Sequence, residues 1–446
     1  MRSRPTFLTG LIFLLIACHT PKSVVDSNLI DAATLENGFV NPPSSIQTSI
    51  YWYWMSDNIS KEGVVKDLHA MKRAGINRAF IGNIGYETTP YGKVKIFSEE
   101  WWDIMHTALK TAGELNIEIG IFNSPGWSQS GGPWIKPSQA MRYLSSAETR
   151  VKGPVNLKVK LGKPAGDFQD VKVIAFKAPK DYGTNILSYH PKISTSVPVK
   201  DIKLVTDQQQ DTEVLLPAAA SFFIGFETAK DFTARSLVIY TGKRETRANA
   251  ALQVKEKGKY KTLKSFEINR TNDNLNVGFK PYGAIAVSIP ATTAKDFRVV
   301  FKEGSDELSI AEIVISSSPV VESFTEKTLA KIYQTPLPYW NEYQWAPQAV
   351  VDDKQVVIDP NAVVDISSKM DAEGNLNWTV PAGDWVINRT GMLPTGVKNG
   401  PASPEGTGLE VDKMSKEHVK SHFEAFLAEI IKRIPAADRS TWKVVV

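Results

Sequence analysis

An apolar, aromatic run from Ile50 to Met55 leads through Ser60 into a stretch in which Val64, Leu68 and Met71 recur on one helical face before Gly75 stops it. Ile76 to Ile81 is a second apolar run. Ser98 then offers a cap to a second helix, with Glu99, Glu100 and Asp103 near its positive end and Trp102, Met105 and Leu109 on one stripe. Ile117 to Phe122 is a third run. Strand, helix, strand, helix, strand with short connections admits few solutions: strands joined through helices run parallel, and the helices must cover the sheet. Strands buried on both faces read as continuous apolar runs, as these do. The pattern predicts either a doubly wound sheet or a (β/α)8 barrel.

From about Val151 the period changes. Val155 to Val159, Val171 to Phe176, Ser236 to Tyr240, Ala284 to Ile289 and Phe297 to Phe301 alternate in polarity and are separated by Gly, Pro, Asn and Asp clusters. An all-β insertion of one or two sandwich modules is predicted over 151–320. The α/β pattern is expected to resume over 321–446. Trp385 to Leu393 reads as a strand, and Ser415 caps a helix with Val419, Phe423, Phe426 and Ile430 on one face, closed by Pro435. Thr441 to Val446 reads as the start of another strand. That makes about four strands and the start of a fifth, against the eight a barrel needs. The chain is therefore expected to carry the first part of a barrel over 44–150, the insertion, and a truncated continuation.

The first residues carry Arg2 and Arg4, then an apolar run from Leu8 to Ala17 too short to span a bilayer, as in a secretion signal. Leu15-Ile16-Ala17-Cys18 resembles a bacterial lipobox. Cys18 is the only cysteine, so it has no disulfide partner, and a lipid anchor is its expected role. Residues 19–43 are polar and suit a tether. These features point to an outer-membrane lipoprotein, on the periplasmic side or the cell surface, with no membrane contact beyond the anchor. The net charge of +4 is small, and no basic run interleaves with aromatics, which speaks against nucleic acid. Eleven tryptophans suit a protein that packs indoles on sugar faces, although aromatics are equally good core material.

Two loops carry candidate chemistry. After the third run comes Asn123-Ser124-Pro125-Gly126-Trp127-Ser128, then Gly131-Gly132-Pro133-Trp134. Amide, hydroxyls and indoles at the C-terminal end of a strand could form a sugar-binding wall; a tight turn packed by Trp127 and Trp134 is the plainer alternative. Ser128 is no nucleophile elbow, because Ser130 stands where a glycine is required. After the Trp385 run comes Asn399-Gly400-Pro401-Ala402-Ser403-Pro404-Glu405-Gly406-Thr407-Gly408-Leu409-Glu410-Val411-Asp412-Lys413. Glycoside hydrolysis needs two carboxyl groups across the scissile bond. Glu405, set between proline and glycine, is one candidate and Glu410 another. Helix-end electrostatics ahead of Ser415 is the plainer account of Glu410 and Asp412. His418 and His422 are four apart on a predicted helix, a spacing that can bind zinc, but Glu417 precedes His418 instead of coming after it, and a solvated helix face is expected. Any metal should be a hard ion held by carboxylates and carbonyls.

Together, Trp52-Tyr53-Trp54-Met55 with Lys61-Glu62-Gly63 and Asp67-Leu68-His69-Ala70-Met71-Lys72-Arg73-Ala74-Gly75, the Asn123 to Trp134 loop, and Pro404 to Lys413 resemble the family 106 α-L-rhamnosidases, as does the β-rich interruption between the second and third segments. The resemblance implies a (β/α)8 barrel interrupted by β-sandwich modules, an inverting acid/base mechanism on terminal α-L-rhamnosyl residues of plant or bacterial polysaccharides, and a Ca2+ ion at the sugar site. It makes Glu405 the leading catalytic carboxylate with Glu410 in reserve, and puts Trp52, Trp54, Asn123, Trp127, Ser128 and Trp134 at the substrate. The second carboxylate is expected to lie outside this chain. The alternatives are a non-catalytic, lipid-anchored glycan-binding protein and an inactive truncated product.

Overall fold

The structure is a computed structural model describing residues 31–43, 46–128, 130–217, 221–271, 278–302, 304, 307–332 and 347–446. The predicted secretion signal and Cys18 lie outside the described residues. The chain divides into a unit of Met1–Thr48 and a unit of Ser49–Val446. Within the first, helix α1 (Ala32–Val40) is capped by Asp31, whose carboxylate accepts from Thr34 N at 2.6 Å, and it buries none of its residues.

The second unit opens as the sequence predicts. Strand β1 (Ser49–Met55), helix α2 (Lys61–Arg73), strand β2 (Arg78–Ile84), helix α3 (Glu99–Glu114) and strand β3 (Glu118–Ile121) come in that order. Ser60 Oγ accepts from Gly63 N at 3.0 Å and Ser98 Oγ from Trp101 N at 3.2 Å. Each cap satisfies a donor that has no helical partner and contributes about 1 kcal/mol. Val64, Leu68 and Met71 of α2 and Trp102, Met105 and Leu109 of α3 pack on Trp52, Trp54, Ile81, Ile119 and Ile121 from the strands. Burying each large apolar side chain stabilises by roughly 1.5–3 kcal/mol, so this stripe determines which face of the sheet the helices cover.

Next come a short strand β4 (Gly131–Gly132) and a long β region: β5 (Arg142–Lys160), β6 (Gln169–Lys177), β7 (Lys192–Thr195), β8 (Val214–Pro217), β9 (Ser221–Thr241), β10 (Arg247–Glu256), β11 (Lys259–Asn269), β12 (Ile285–Lys302), β13 (Glu307–Ser316), β14 (Val364–Asp365) and β15 (Asn375–Pro394), with one helical turn, α4 (Phe324–Lys327). One sheet runs β11-β10-β12-β9-β13-β8, with β7 also paired to β9, around a core that includes Phe226, Phe232, Phe297 and Phe301. A second sheet runs β14-β6-β15-β5.

Here the structure departs from expectation. Trp385 to Leu393 lies within β15, antiparallel to β5 and β6, and not in the parallel sheet. The β region thus extends from Arg142 to Pro394, wider than 151–320. Apolar residues facing a sandwich interior and apolar residues in a parallel sheet look alike in sequence, and the pairing partner decides between them.

Strand β16 (Leu409–Glu410) then pairs with β4, and α5 (Lys416–Ala425), α6 (Leu427–Arg433) and β17 (Trp442–Val445) complete the chain. Strand β17 runs parallel to β3, so the parallel sheet is β1-β2-β3-β17. Ser415 caps α5 as predicted, accepting from His418 N at 3.3 Å. The predicted apolar face is only half right. Phe426 and Ile430 are buried, but Val419 and Phe423 are exposed, and the helix breaks at Phe426.

Candidate active site

The C-terminal edge of the parallel sheet gathers four loops. Beyond β1, Ser56 and Asp57 take positive φ, and Ser56 N donates to Ile84 O at 2.6 Å, which ties this loop to the end of β2. Gly126, in the loop after β3, has φ +81°; a Cβ there would lie 2.7 Å from the carbonyl carbon of Gly400. This close approach lets Trp127 N donate to Gly400 O at 3.0 Å. Asn399 is the buried clasp between the two predicted loops. Its Nδ2 donates to Pro125 O at 2.8 Å and Gly406 O at 2.9 Å, and its Oδ1 accepts from Gly408 N at 2.7 Å. The loops after β3 and β15, distant in sequence, thereby form one surface.

Glu405 sits on a single 3-10 turn, Pro404–Gly406, with its side chain 44% exposed and Lys95 Nζ at 3.9 Å. Lys95 also lies 3.2 Å from Asp57 Oδ2, while Ser403 Oγ donates to Asp57 Oδ1 at 2.7 Å. Asp57 is buried. Lys95 thus stands between a buried carboxylate and an open one. Asp57 was missed in the sequence, although its position just beyond the end of β1, where barrel enzymes place functional groups, was a usable signal. Glu410 is 5% exposed and held by Lys413 Nζ at 3.0 Å, and its backbone pairs with Gly131. It joins the loops together and does not open to solvent as Glu405 does.

The predicted sugar-contacting residues separate into two groups. Trp52 and Trp54 face the helices. Trp52 Nε1 donates to Asp67 Oδ2 at 3.0 Å, and Trp54 packs edge-on against Trp101 at 5.9 Å. Because strand side chains alternate, Tyr51 and Tyr53 lie on the opposite face, stacked at 5.6 Å. Trp127, half-open to solvent, meets Tyr53 at 6.2 Å and Tyr86 at 5.9 Å. Tyr53, Tyr86 and Trp127 make an aromatic wall of which the sequence identified only the last. Ser128 is a loop brace: its Oγ accepts from Gly400 N at 3.0 Å.

Asn123 and Trp134 meet at His422. Trp134 Nε1 donates to His422 Nδ1 at 2.9 Å, and His422 Nε2 lies 2.9 Å from Asn123 Oδ1. His422 is buried, correcting the expectation of a solvated face, and burial lowers its pKa below the usual histidine value. His418 Nδ1 lies 3.9 Å from Asp412 Oδ2 and has no hydrogen-bond partner among the described residues, whereas both ring nitrogens of His422 are taken by Trp134 and Asn123 and neither is free for a metal.

A calcium site at this edge would need several unengaged oxygens. Asp57 and Glu405 share Lys95, and Glu410 is paired with Lys413. Among the described residues no group of three or more His, Cys, Asp or Glu could hold a metal. The described residues at this edge do not by themselves fit the ion.

A family profile described as alpha-L-rhamnosidase matches residues 40–446. A protein of Formosa agariphila named "Putative beta-glucuronidase" is 24% identical over 434 residues, 96% of this chain and 25% of that protein. The structure of a rhamnosidase from Novosphingobium sp. PP1Y superposes with a TM-score of 0.72 at 25% identity, covering 91% of this chain and 38% of that one. The chain therefore spans about a quarter of the curated relative and under two-fifths of the rhamnosidase structure.

Proposed function

This chain belongs to the α-L-rhamnosidase family, and from that premise we propose that it forms part of a glycoside hydrolase removing terminal α-L-rhamnosyl residues from oligo- or polysaccharides. On this reading the sheet β1-β2-β3-β17 is one sector of a (β/α)8 barrel, and the β region is inserted between its strands. The observation that carries the reading is Glu405: a solvent-facing carboxylate at the C-terminal edge of a parallel sheet, on a turn that Asn399 clasps to the loop bearing Trp127.

Inverting hydrolysis uses one carboxyl group as acid and one as base on opposite faces of the sugar. Of the two glutamates singled out in the sequence, Glu405 is the one open to a ligand, and Glu410 holds the loop that presents it. The aromatic wall supplies apolar ring area for the C–H face of a pyranose. The lipid anchor at Cys18 and an outer-membrane location belong to the same proposal and rest on the leader sequence.

The test is release of L-rhamnose from an aryl α-L-rhamnoside, comparing the wild-type chain with Glu405→Gln, each with and without calcium. Turnover abolished by the substitution supports the reading; a folded wild-type chain without turnover rules out this chain as a catalyst on its own. A second reading, a glucuronide substrate, draws on the name of the Formosa relative and on Lys95, a cation 3.9 Å from Glu405 that could meet a uronate. Preferential turnover of an aryl β-glucuronide would establish it.

A further inference from the structure

At the edge of the second sheet, an open cleft of about 530 Å3 is lined by Lys158 and Lys160 of β5, by Asn375 and Asn377 of β15, and by Lys369 of the 3-10 turn Ser367–Lys369. Its size falls within the range of about 300–1,000 Å3 common to small-ligand sites. The antiparallel register sets Lys160 opposite Asn375 and Lys158 opposite Asn377, and all four residues are exposed. Residues two apart on a strand share a face, so two ammonium and two carboxamide groups stand together on one side of this ladder.

Among the described residues, none of the three lysines has an ion-pair or hydrogen-bond partner for its ammonium group, and the carboxamide of Asn377 has none either. Asp371 is the one acid that lines the cleft, and Asn375 already occupies it: the backbone N donates to Oδ1 at 2.8 Å and Nδ2 to Oδ2 at 2.9 Å. Three cations against one anion leave a net charge of +2. Lysines on an exposed edge strand guard against strand addition, and β5 is such an edge, which accounts for Lys158 and Lys160. It does not account for Lys369, which reaches the same cleft from the turn between β14 and β15, or for the free amide of Asn377.

We propose that this cleft binds an anionic saccharide, with the lysines meeting a uronate carboxylate and Asn377 meeting ring hydroxyls. A carboxamide both donates and accepts, as a hydroxyl does; a bare phosphate offers acceptors alone and would leave the amide oxygen unmatched. The site goes beyond the glycosidase reading and does not depend on it, because binding without turnover is what it predicts.

Calorimetric titration of the full chain tests the proposal, with trigalacturonate as the anionic probe, maltotriose as a neutral one of equal length and inorganic tripolyphosphate as an anion without hydroxyls on rings. Trigalacturonate should bind and maltotriose should not. The triple variant Lys158→Gln/Lys160→Gln/Lys369→Gln should weaken binding by about tenfold or more. Asn377→Ala, which removes one neutral hydrogen-bonding group at constant charge, should weaken it about three- to tenfold. All four positions are exposed, so these variants should keep the wild-type melting temperature. Lys257→Gln/Lys259→Gln, on the turn between β10 and β11, should bind as the wild type does. Absence of trigalacturonate binding, or its survival in the triple variant, overturns the site. Tripolyphosphate binding as tightly as trigalacturonate, with Asn377→Ala unaffected, reduces the cleft to a charged patch and overturns the saccharide assignment. Failure of rhamnoside turnover, by contrast, would strike the glycosidase reading and leave these titrations to decide the cleft.

Discussion

Ser403 donates its hydroxyl to the buried carboxylate of Asp57 across 2.7 Å, although the two residues stand 346 positions apart in the chain. The contact fastens the loop that carries Glu405 to the end of the first parallel strand. Lys95 completes it from the loop between β2 and α3. Removing the carboxylate with Asp57→Ala strands the buried Ser403 hydroxyl and breaks the ion pair with Lys95, and should destabilise the fold by about 1–3 kcal/mol. Ser403→Ala should cost about 1 kcal/mol. Denaturant midpoints measure both; wild-type stability in Asp57→Ala would show that the contact does not hold the loop.

The two candidate glutamates should behave in opposite ways. Glu405 is largely open, so Glu405→Gln should leave the unfolding free energy within about 0.5 kcal/mol of wild type while removing any rhamnoside turnover. Glu410 is buried against Lys413, and Glu410→Gln should destabilise by about 1–3 kcal/mol through loss of a charge-assisted bond. Urea unfolding of both variants checks this. A destabilised Glu405→Gln beside a neutral Glu410→Gln would reverse the assigned roles.

Acid should loosen the joint between α5 and the loop after β3. His422 has its folded pKa pushed below the usual value by burial, so the unfolded chain binds a proton that the folded chain does not. The stability this group contributes is complete above about pH 6.5 and falls as pH drops from there toward the folded pKa. His422→Gln should flatten that part of the stability profile. Thermal melts between pH 5 and 8 would show it, and an unchanged slope in the variant would exclude His422 as the source.

In the β region the sign is opposite. Glu312 is buried on β13, and its pKa is pushed up to about 7, first by burial and then by the nearby Asp207, against a lowering bond from Gln208 N. The folded chain holds a proton that the unfolded chain releases near pH 4.5. Stability from this group is therefore present at low pH and lost as pH rises through about 7. With divalent ions removed by EDTA, Glu312→Gln should be more stable than wild type at pH 8 and close to it at pH 5. Calorimetric melts at the two pH values decide; equal melting differences at both would count against the raised pKa.

The features that the sequence determined by itself are local ones. Ser60, Ser98 and Ser415 cap their helices because a cap needs only the next three residues, and the stripes of α2 and α3 reflect a 3.6-residue period. The order from β1 to β3 and the all-β character of the region beyond them are likewise carried by short-range periodicity. The tertiary structure decided everything that depends on a distant partner. Trp385 to Leu393 could pair in either kind of sheet, and only β5 and β6 draw it into the β region. Val419 and Phe423 fit a helical stripe, yet α5 leaves both exposed and turns His422 inward to Asn123 and Trp134. Glu405 was legible as a carboxylate on a rigid turn, but the Asp57 and Lys95 groups beside it were not, because they come from the loops after β1 and β2, far from Glu405 in the chain. Hydrogen bonds and ion pairs form between neighbours in space, and a chain's local pattern records only neighbours in sequence.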